Sequence, residues 1–327
     1  MNFQQLKYVR EAVRQGLNLT EAANVLFTSQ PGISKQIREL EDELGVEIFV
    51  RRGKRLVALT DPGRIVVQVI ERLLVEADNL RQVGKEFADQ DSGSLTIATT
   101  HTQARYALPE VVRAFRAHYP NVRLALQQGS PTQIAELVRE GRADIAIATE
   151  ALDHYPDLIA LPGYVWHHCI IVPRDHALAQ VDTLTLETLA TYPLITYSAE
   201  FAGRTFIDQA FAERGLKMDV VLTALDADVI KTYAELGLGV GIVAAMAYDA
   251  RRDVNLHAVD AGHLFRSKIT RVAVKRAAYL RGYTYAFIQA FAPHLTREVV
   301  DRAREVNGKA VEQVDLPPEL GAIKKRA

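Results

Sequence analysis

The chain has 327 residues, 48% of them hydrophobic and 24% charged, with a formal net charge of −1 and one cysteine. This length predicts two or three folded units, and no apolar run is long enough to cross a bilayer, which excludes a membrane-spanning protein and a membrane partner. The near-zero charge leaves only local patches as evidence for a polyanionic partner, and a single cysteine excludes a disulfide, a zinc finger and a CxxC redox pair. Since the first residues lack the uninterrupted apolar segment of a secretory signal, we expect a cytoplasmic protein.

Two helices are predicted at the amino-terminal end. Apolar residues from Phe3 onward recur at helical spacing, and Gly16 and Asn18 interrupt them. The segment TEAANVLF then resumes a helical pattern, with Thr20 placed to cap it. The order is helix, turn, helix.

A third helix and a basic hairpin follow. In TSQPGISKQIRELEDELG an apolar stripe recurs at spacings of four, three and four, and we expect it to be buried. The stripe consists of Ile33, Ile37, Leu40 and Leu44. After Gly45, the segment VEIFVRRGKRLVALT contains two short β-type runs around a basic turn, which is typical of a wing. Residues 1–59 therefore predict a winged helix-turn-helix domain that binds double-stranded DNA.

The outward side of the third helix carries side chains suited to the major groove. Gln30 and Ser34 are candidates for reading base edges, and Thr28 and Ser29 for holding the DNA backbone. The proline is a candidate for contacting a thymine methyl, and the cations for contacting phosphate or guanine. The candidate DNA-contacting residues are Thr28, Ser29, Gln30, Pro31, Ser34, Lys35 and Arg38 in the helix and Arg51, Arg52, Lys54 and Arg55 in the wing. The alternative is a solvated domain whose exposed side chains and basic run have no partner.

One long helix is predicted over residues 60–89. Thr60 is placed as its cap, and Pro62 lies in the first turn, where a missing N–H costs little. An apolar or small residue then recurs in a strict alternation of four and three, at Val66, Ile70, Leu73, Ala77, Leu80, Gly84 and Phe87. A helix of roughly 40 Å with a single apolar stripe requires a partner, so this segment predicts dimerisation.

Beyond the linker DQDSGS, the chain alternates β-type and helical segments. Strands are predicted in LTIATT, VRLALQQG, ADIAIATE, HCIIVP, PLITY, VVLTALD, VGIVAA and RVAVKR. This order predicts mainly parallel sheets covered by helices. Residues 306–327 are predicted to be a loosely held tail.

Several of these segments resemble one family. SQPGISKQIRELEDELG and IFVRRGKRLVALTDPG resemble the amino-terminal domain of the LysR-type transcriptional regulators. IATTHTQARYALP, QGSPTQIAELV, DIAIATEAL and DADVIKTYAELGLGVGIVA resemble the cysteine-regulon and sulfonate-regulon branch of that family. The resemblance implies a two-lobed α/β effector domain of the periplasmic-binding-protein type, with one lobe at 93–165 and 268–305 and the other at 166–267.

The same resemblance implies a function. It implies a homodimer that assembles into a homotetramer on promoter DNA, has RNA polymerase as a further partner, and activates genes of sulfur assimilation and cysteine biosynthesis. The implied effector is a small anion: acetylserine, sulfate or thiosulfate. A regulator of genes for sulfonate or other sulfur sources is the alternative within the branch.

Hydroxyl and amide side chains cluster where predicted strands give way to helices. Helix N-termini attract anions, and hydroxyls add neutral donors. Ligands bind at the carboxyl ends of strands in open α/β sheets, so these clusters are expected to share one crevice. The candidates are Thr100, Thr102, Gln103, Ser130, Thr132 and Thr149, of which the resemblance favours Thr100, Thr102, Gln103 and Thr149. Taken singly, each hydroxyl residue is more typical of a helix cap or a strand than of a ligand site.

The opposing wall is expected from FAGR, at 201–204, and from the helix start in DADVIKTY. The candidates there are Phe201, Ala202, Gly203 and Asp226. Ala202 stands where the resemblance leads us to expect threonine in the cysteine-regulon activators, so this chain lacks that hydroxyl. Asp226 and Asp228 are as typical of helix capping as of ligand binding.

The sequence gives no support for an enzyme. In WHHC, neighbouring strand residues point to opposite faces, so only His167 and Cys169 share a side. Neither a third catalytic group nor further metal ligands accompany them. A solute-binding module or an enzyme on the same scaffold is the competing hypothesis from another class. We expect no catalytic residue, no metal and no cofactor.

Overall fold

The computed structural model describes residues 1–53, 55–88, 92–199, 201 and 203–305. The predictions for Lys54, Ala202 and the tail at 306–327 lie outside the described residues. The chain divides into two compact units, one formed by residues 1–88 with 277–279 and the other by residues 89–276 with 280–327.

The first unit begins with three short helices, a two-stranded hairpin and one long helix. In chain order these are α1 Phe3–Arg14, α2 Leu19–Val25, α3 Gln30–Leu44, β1 Phe49–Arg52, β2 Arg55–Leu59 and α4 Asp61–Ala88. The cap predicted for α2 at Thr20 was wrong. Asn18 caps the helix, because its Oδ1 accepts the backbone N–H groups of Thr20 and Glu21 at 3.0 and 3.2 Å. Thr20 already lies in the first turn, beyond the capping position.

The apolar stripe of α3 packs into the core of this unit. Ile33, Ile37 and Leu40 have no exposed surface and contact apolar residues of α1, α2 and α4. Leu44, predicted in the same stripe, is instead exposed. It is the last residue of α3, and Gly45 ends the helix there in the left-handed conformation (φ 68°).

The long helix α4 has 28 residues and two different apolar surfaces. Ile70 and Leu74 are buried in the core of the first unit. Leu80 and Phe87 further along are 74% and 81% exposed. Ile70, predicted in the seam, thus packs within its own unit, because the first half of α4 serves as a core helix there. The seam stays a prediction for the exposed second half.

The second unit contains two five-stranded sheets. Its strands and helices are β3 Ser92–Thr99, α5 Leu108–His118, β4 Asn121–Gln128, α6 Pro131–Arg139, β5 Ile145–Ala148, β6 Leu158–Trp166, β7 His168–Pro173, α7 Leu186–Leu189, β8 Pro193–Tyr197, α8 Arg204–Glu213, β9 Asp219–Ala224, α9 Ala227–Glu235, β10 Val240–Ala244, β11 Leu256–Asp260, β12 Lys268–Lys275, α10 Gly282–Phe291 and α11 Arg297–Glu305. A single turn of π-helix, Gln103–Ala107, precedes α5.

Each sheet defines one lobe. The first has the strand order β4-β3-β5-β12-β6 and the second the order β11-β7-β10-β8-β9. The chain passes from the first lobe to the second between β6 and β7, at His167, and returns before β12. Two antiparallel pairs per sheet involve β12 or β7, and the remaining pairs are parallel. The prediction of mainly parallel sheets was thus half wrong. The strands β7 and β12, at which the chain enters a lobe from the other one, form antiparallel pairs, and such pairs need no crossover helix.

Apolar clusters fill both lobes. In the first, Leu95, Ile97, Phe115 and Phe287 bring β3, α5 and α10 together, and a separate set of clusters packs the second. None of the helices in the described part of the chain is both long and apolar enough to cross a membrane.

Candidate functional site

The start of α3 presents an exposed polar surface on the first unit. Ser29 caps the helix by accepting the Gly32 N–H at 3.2 Å, and Pro31 lies in the first turn, where it has no bond to lose. The structure places the predicted DNA-contacting residues of α3 outside the core: Thr28, Ser29, Pro31, Lys35 and Arg38 are exposed, and Gln30 and Ser34 are half-buried. Pro31, Lys35 and Arg38 lie on the face of α3 opposite Ile33 and Ile37, and Ser34 lies on the flank of that face.

The wing is tied to α3 by a residue that the sequence analysis missed. The carboxylate of Glu41 accepts the backbone N–H groups of Ile48 and Phe49 at 2.8 and 3.1 Å. Its second oxygen accepts an Arg51 N–H at 2.8 Å. Of the predicted wing cations, Arg51 is therefore held in this ion pair, whereas Arg52 and Arg55 are exposed.

A pocket lies in the second unit where β3 and β5 end. It has an empty volume of about 360 Å³, which includes space open to solvent. Its lining consists of Thr100, His101, Thr102, Gln103, Thr149, Glu150, Trp166, Phe201 and Leu225. The first seven residues follow or end strands of the first lobe, and the last two belong to the second lobe. Five residues predicted from the sequence thus meet at one place.

A chain of hydrogen bonds holds the polar floor of this pocket. Gln103 Nε2 donates to Thr270 Oγ1 at 3.2 Å, and Thr270 Oγ1 is 3.3 Å from Thr149 Oγ1. Trp166 Nε1 donates to Thr149 Oγ1 at 3.3 Å, and the Tyr164 hydroxyl donates to Gln103 Oε1. Burial raises the pKa of the Tyr164 hydroxyl, so it remains a neutral donor. These side chains are held in place before any ligand binds.

Four predicted residues do not line the pocket. Ser130 caps α6 by accepting the Gln133 N–H at 3.3 Å, and Thr132 is exposed on the same helix. Asp226 caps α9 by accepting the Val229 N–H at 2.9 Å. Gly203 precedes α8 in the left-handed conformation (φ 72°), where a Cβ would press against His168 and Lys268.

Glu150 is the one carboxylate among the described lining residues. Burial raises its pKa, while the Gly203 N–H and the charge of Lys268 lower it in part. Its Oε1 is buried and accepts no hydrogen bond from the described residues. Lys268 is itself buried beside the Phe206 ring, and burial lowers its pKa to about 8. A half-buried carboxyl group therefore lines the pocket, and a buried amine lies close to it.

Residues of the two lobes also meet at the edge of the pocket. The Tyr106 hydroxyl donates to Asp228 Oδ1 at 2.7 Å, and Arg105 Nε lies 3.4 Å from Asp228 Oδ2. The hydrogen bond from Tyr106 and the charges of Lys231 and Arg105 outweigh burial and hold the pKa of Asp228 below its ordinary value. His101 with Asp226 and Asp228 is the one group with metal-ligand spacing among the described residues. Asp226 is occupied as a helix cap and Asp228 is paired with cations, so the group does not resemble a metal site.

Some lining residues had a signal in the sequence and others had none. His101 and Glu150 directly follow predicted strand ends and could have been included with their threonine neighbours. Trp166 and Leu225 come from distant segments, and only the folded chain brings them to the pocket. Cys169 is fully buried and burial raises its thiol pKa, which leaves no reactive thiolate there.

Two family models match the chain. Residues 3–64 match the model described as bacterial regulatory helix-turn-helix protein, lysR family, and residues 88–296 match the LysR substrate binding domain. The first match contains α1 to β2 and the start of α4, and the second contains the pocket.

Two curated proteins and one solved structure are also similar to this chain. The chain is 60% identical over 306 residues to the HTH-type transcriptional regulator SsuR of Burkholderia cenocepacia, which covers 93% of this chain and 99% of SsuR. It is 55% identical over 312 residues to CysB of the same organism, covering 95% of this chain and 100% of CysB. The crystal structure of the cofactor-binding domain of the Cbl transcriptional regulator matches with a TM-score of 0.63 and 49% identity, over 66% of this chain and 95% of that domain.

Proposed function

Because this chain belongs to the LysR family of transcriptional regulators, we propose that it controls sulfur-assimilation and cysteine-biosynthesis genes in response to a small anionic metabolite. The fold predicted from the sequence is confirmed: a winged helix-turn-helix domain, a linker helix and a two-lobed effector domain. Its relatives are transcriptional regulators, which also confirms the prediction that the chain is not an enzyme.

The observation that carries the proposed effector class is the composition of the pocket. Hydroxyl and amide donors from Thr100, Thr102, Gln103 and Thr149 converge there, at the carboxyl ends of two strands. Such neutral donors suit the oxygens of a carboxylate or sulfate. Among the described lining residues none is a lysine or arginine. We therefore propose an anion held by neutral donors: acetylserine, sulfate or thiosulfate.

The position of Glu150 adds a condition to this proposal. A carboxylate beside an anionic ligand is repulsive, so binding requires either a proton on Glu150 or compensation by Lys268. The raised pKa of Glu150 favours a proton on its carboxyl group. The pKa of Lys268 is lowered to about 8, which is still above neutral pH, so the amine remains mostly charged there. Anion binding and proton uptake at Glu150 are thereby coupled.

The DNA role is proposed for the exposed face of α3 and for the wing. Gln30 and Ser34 are proposed to read base edges in the major groove, and Lys35 and Arg38 to contact phosphate or guanine. Arg52 and Arg55 of the wing are proposed to contact the backbone or the minor groove. Since promoter DNA is the partner, we place the protein in the cytoplasm, with RNA polymerase as a further partner.

The exposed apolar half of α4 supports assembly. A row of large side chains as exposed as Leu80 and Phe87 is costly in water and is buried when two α4 helices pair. We propose a homodimer formed through this surface and a tetramer built from two dimers. Effector binding between the lobes then changes their relative orientation and, through the assembly, the spacing of the DNA-binding domains on the promoter.

A second candidate is a regulator of genes for sulfonate or other sulfur sources. One observation favours it: residue 202 is alanine where threonine is expected in the cysteine-regulon activators. Titration of wild type and Ala202→Thr with acetylserine separates the two candidates. Tighter acetylserine binding by Ala202→Thr would favour the sulfonate candidate for the natural chain.

The test of the proposed function is a gel shift with promoters of the host's sulfur-assimilation genes, with and without acetylserine. We expect salt-dependent binding that acetylserine alters. Thr149→Val, which removes a pocket hydroxyl, should abolish the response to acetylserine while leaving DNA binding intact. Thr132→Val is the matched control, because Thr132 is exposed and lies outside the pocket lining. Absence of specific binding to any of these promoters would contradict the proposal.

A further inference from the structure

Phe27 has an unusual conformation at the end of α2. Its φ is +49°, in the left-handed region. The Phe27 N–H donates to the Asn24 carbonyl at 3.3 Å, and the Thr28 N–H donates to the Ala23 carbonyl at 3.0 Å. This bonding pattern ends a helix with one left-handed residue, a position normally occupied by glycine or asparagine. A phenylalanine there is strained by its Cβ.

The side chain of Phe27 gains nothing from the fold in return. It is 97% exposed, more than any other large apolar side chain among the described residues. Leu17 also has a positive φ, of 68°, but its side chain packs against the core of the first unit. Packing thus explains the strain at Leu17 and leaves the strain at Phe27 unexplained. Both the conformation and the exposure of Phe27 are unfavourable in the isolated chain.

The location of Phe27 indicates what its ring contacts. It lies two residues before Ser29, the cap of α3, and its immediate neighbour Thr28 is also exposed. In a helix-turn-helix the amino-terminal end of the third helix enters the major groove, so the turn before it lies against the duplex. The exposed cations Lys35 and Arg38 on the same helix favour a polyanionic partner at this surface.

We propose that Phe27 is a DNA-contacting residue, whose ring makes an apolar contact with the duplex at the edge of the major groove. Phenylalanine suits apolar groups of DNA such as the thymine methyl. Binding removes the ring from water, which offsets the cost of its exposure in the free protein. This inference rests on the proposed DNA-binding role of α3 and adds to it a contact that carries no charge.

The contact predicts opposite effects of one substitution on stability and on binding. Asparagine tolerates the left-handed conformation better than phenylalanine, so Phe27→Asn should unfold at the same or a higher temperature than wild type. Its affinity for a promoter fragment that wild type binds should nevertheless fall at least fivefold. Phe27→Tyr, which keeps the ring, should stay within twofold of wild type. A residue with only a structural role would not raise stability and lower binding together.

Salt dependence distinguishes an apolar contact from a phosphate contact. An uncharged side chain releases no counterions, so Phe27→Asn should leave the slope of log K against log salt unchanged. Arg52→Gln is the matched control in the wing, because Arg52 is exposed and charged. If it contacts one phosphate, its slope should become shallower by about 0.9.

The experiment uses the full chain, with fluorescence anisotropy on the promoter fragment at several salt concentrations and thermal denaturation of each variant. Promoter affinity of Phe27→Asn within twofold of wild type would overturn the inference, even where transcription is impaired, since the ring would then contact another protein. A lower unfolding temperature that accompanies the weaker binding would also overturn it. If wild type binds no promoter, the proposed function itself fails and the inference fails with it.

Discussion

Glu41 joins α3 to the wing, and replacing it with glutamine isolates that role. The carboxylate accepts three hydrogen bonds, from the N–H groups of Ile48 and Phe49 and from Arg51. Glutamine keeps the size and one carbonyl oxygen, but its amide NH₂ cannot accept the bond from Arg51. The guanidinium therefore loses its acceptor while the two backbone groups keep theirs.

The expected cost follows from the burial of the pair. Loss of a hydrogen bond to a charged group costs about 1.5–3 kcal/mol. The Glu41 and Arg51 side chains are only 8% and 20% exposed, so water can replace the lost partner of Arg51 only in part. We expect Glu41→Gln to lower the free energy of unfolding of the first unit by about 2 kcal/mol. Glu39→Gln is the matched control: its 3.7 Å pair with Lys35 is exposed, and such pairs contribute about 1 kcal/mol or less.

Urea denaturation followed by two signals measures this effect. Far-ultraviolet circular dichroism reports the helices of both units, whereas the fluorescence of Trp166, the single tryptophan, reports the second unit. Glu41→Gln should move the part of the dichroism transition that belongs to the first unit to lower urea. The transition followed by Trp166 fluorescence should stay in place. Identical curves for Glu41→Gln and Glu39→Gln would refute the reasoning, and so would an equal shift of the Trp166 signal.

Three further predictions concern assembly and the pocket. Leu80→Asp places a charge on the exposed apolar half of α4, so sedimentation velocity should show a smaller species than wild type; an unchanged species would exclude this half of the helix as the interface. Because burial raises the pKa of Glu150, anion affinity measured by calorimetry should increase as pH falls through that pKa. Glu150→Gln should bind the anion more tightly than wild type, and its affinity should no longer depend on pH in this range. Equal pH dependence in both proteins would contradict the coupling. Thr270→Val removes the hydroxyl that joins Gln103 to Thr149, so ligand affinity should fall about fivefold, the effect of roughly one hydrogen bond; unchanged affinity would show that the network does not hold the site.

Local patterns in the sequence predicted the elements that depend on local physics. The stripe of Ile33, Ile37 and Leu40 identifies the buried face of α3 because helical periodicity is a property of neighbouring residues. Thr100 and Thr149 could be placed in one crevice because the ends of neighbouring strands meet at one edge of a sheet. Residue positions relative to a helix or strand end were therefore enough for much of the pocket.

Features that depend on distant segments were not predicted. Ile70 fits a seam pattern equally well whether it contacts a second chain or its own unit, and periodicity does not distinguish these cases. Trp166 reaches the pocket only because β6 pairs with β12, which lies about a hundred residues later in the chain. Glu41 reads as one of several acidic residues on α3, and only the fold brings the N–H groups of Ile48 and Phe49 to it.

The burial of Ile70 and Leu74 also has a mechanical consequence. Ile70 and Leu74 pack α4 into the same core as Ile33 and Ile37 of α3, so α3 and α4 move together as one rigid body. At 1.5 Å per residue, the 28 residues of α4 extend about 42 Å. A tilt of about five degrees at the far end displaces the other end by roughly 3–4 Å, close to the rise of one base pair. A change too small to alter any fold can therefore move one end of α4 by about the length of one base-pair step.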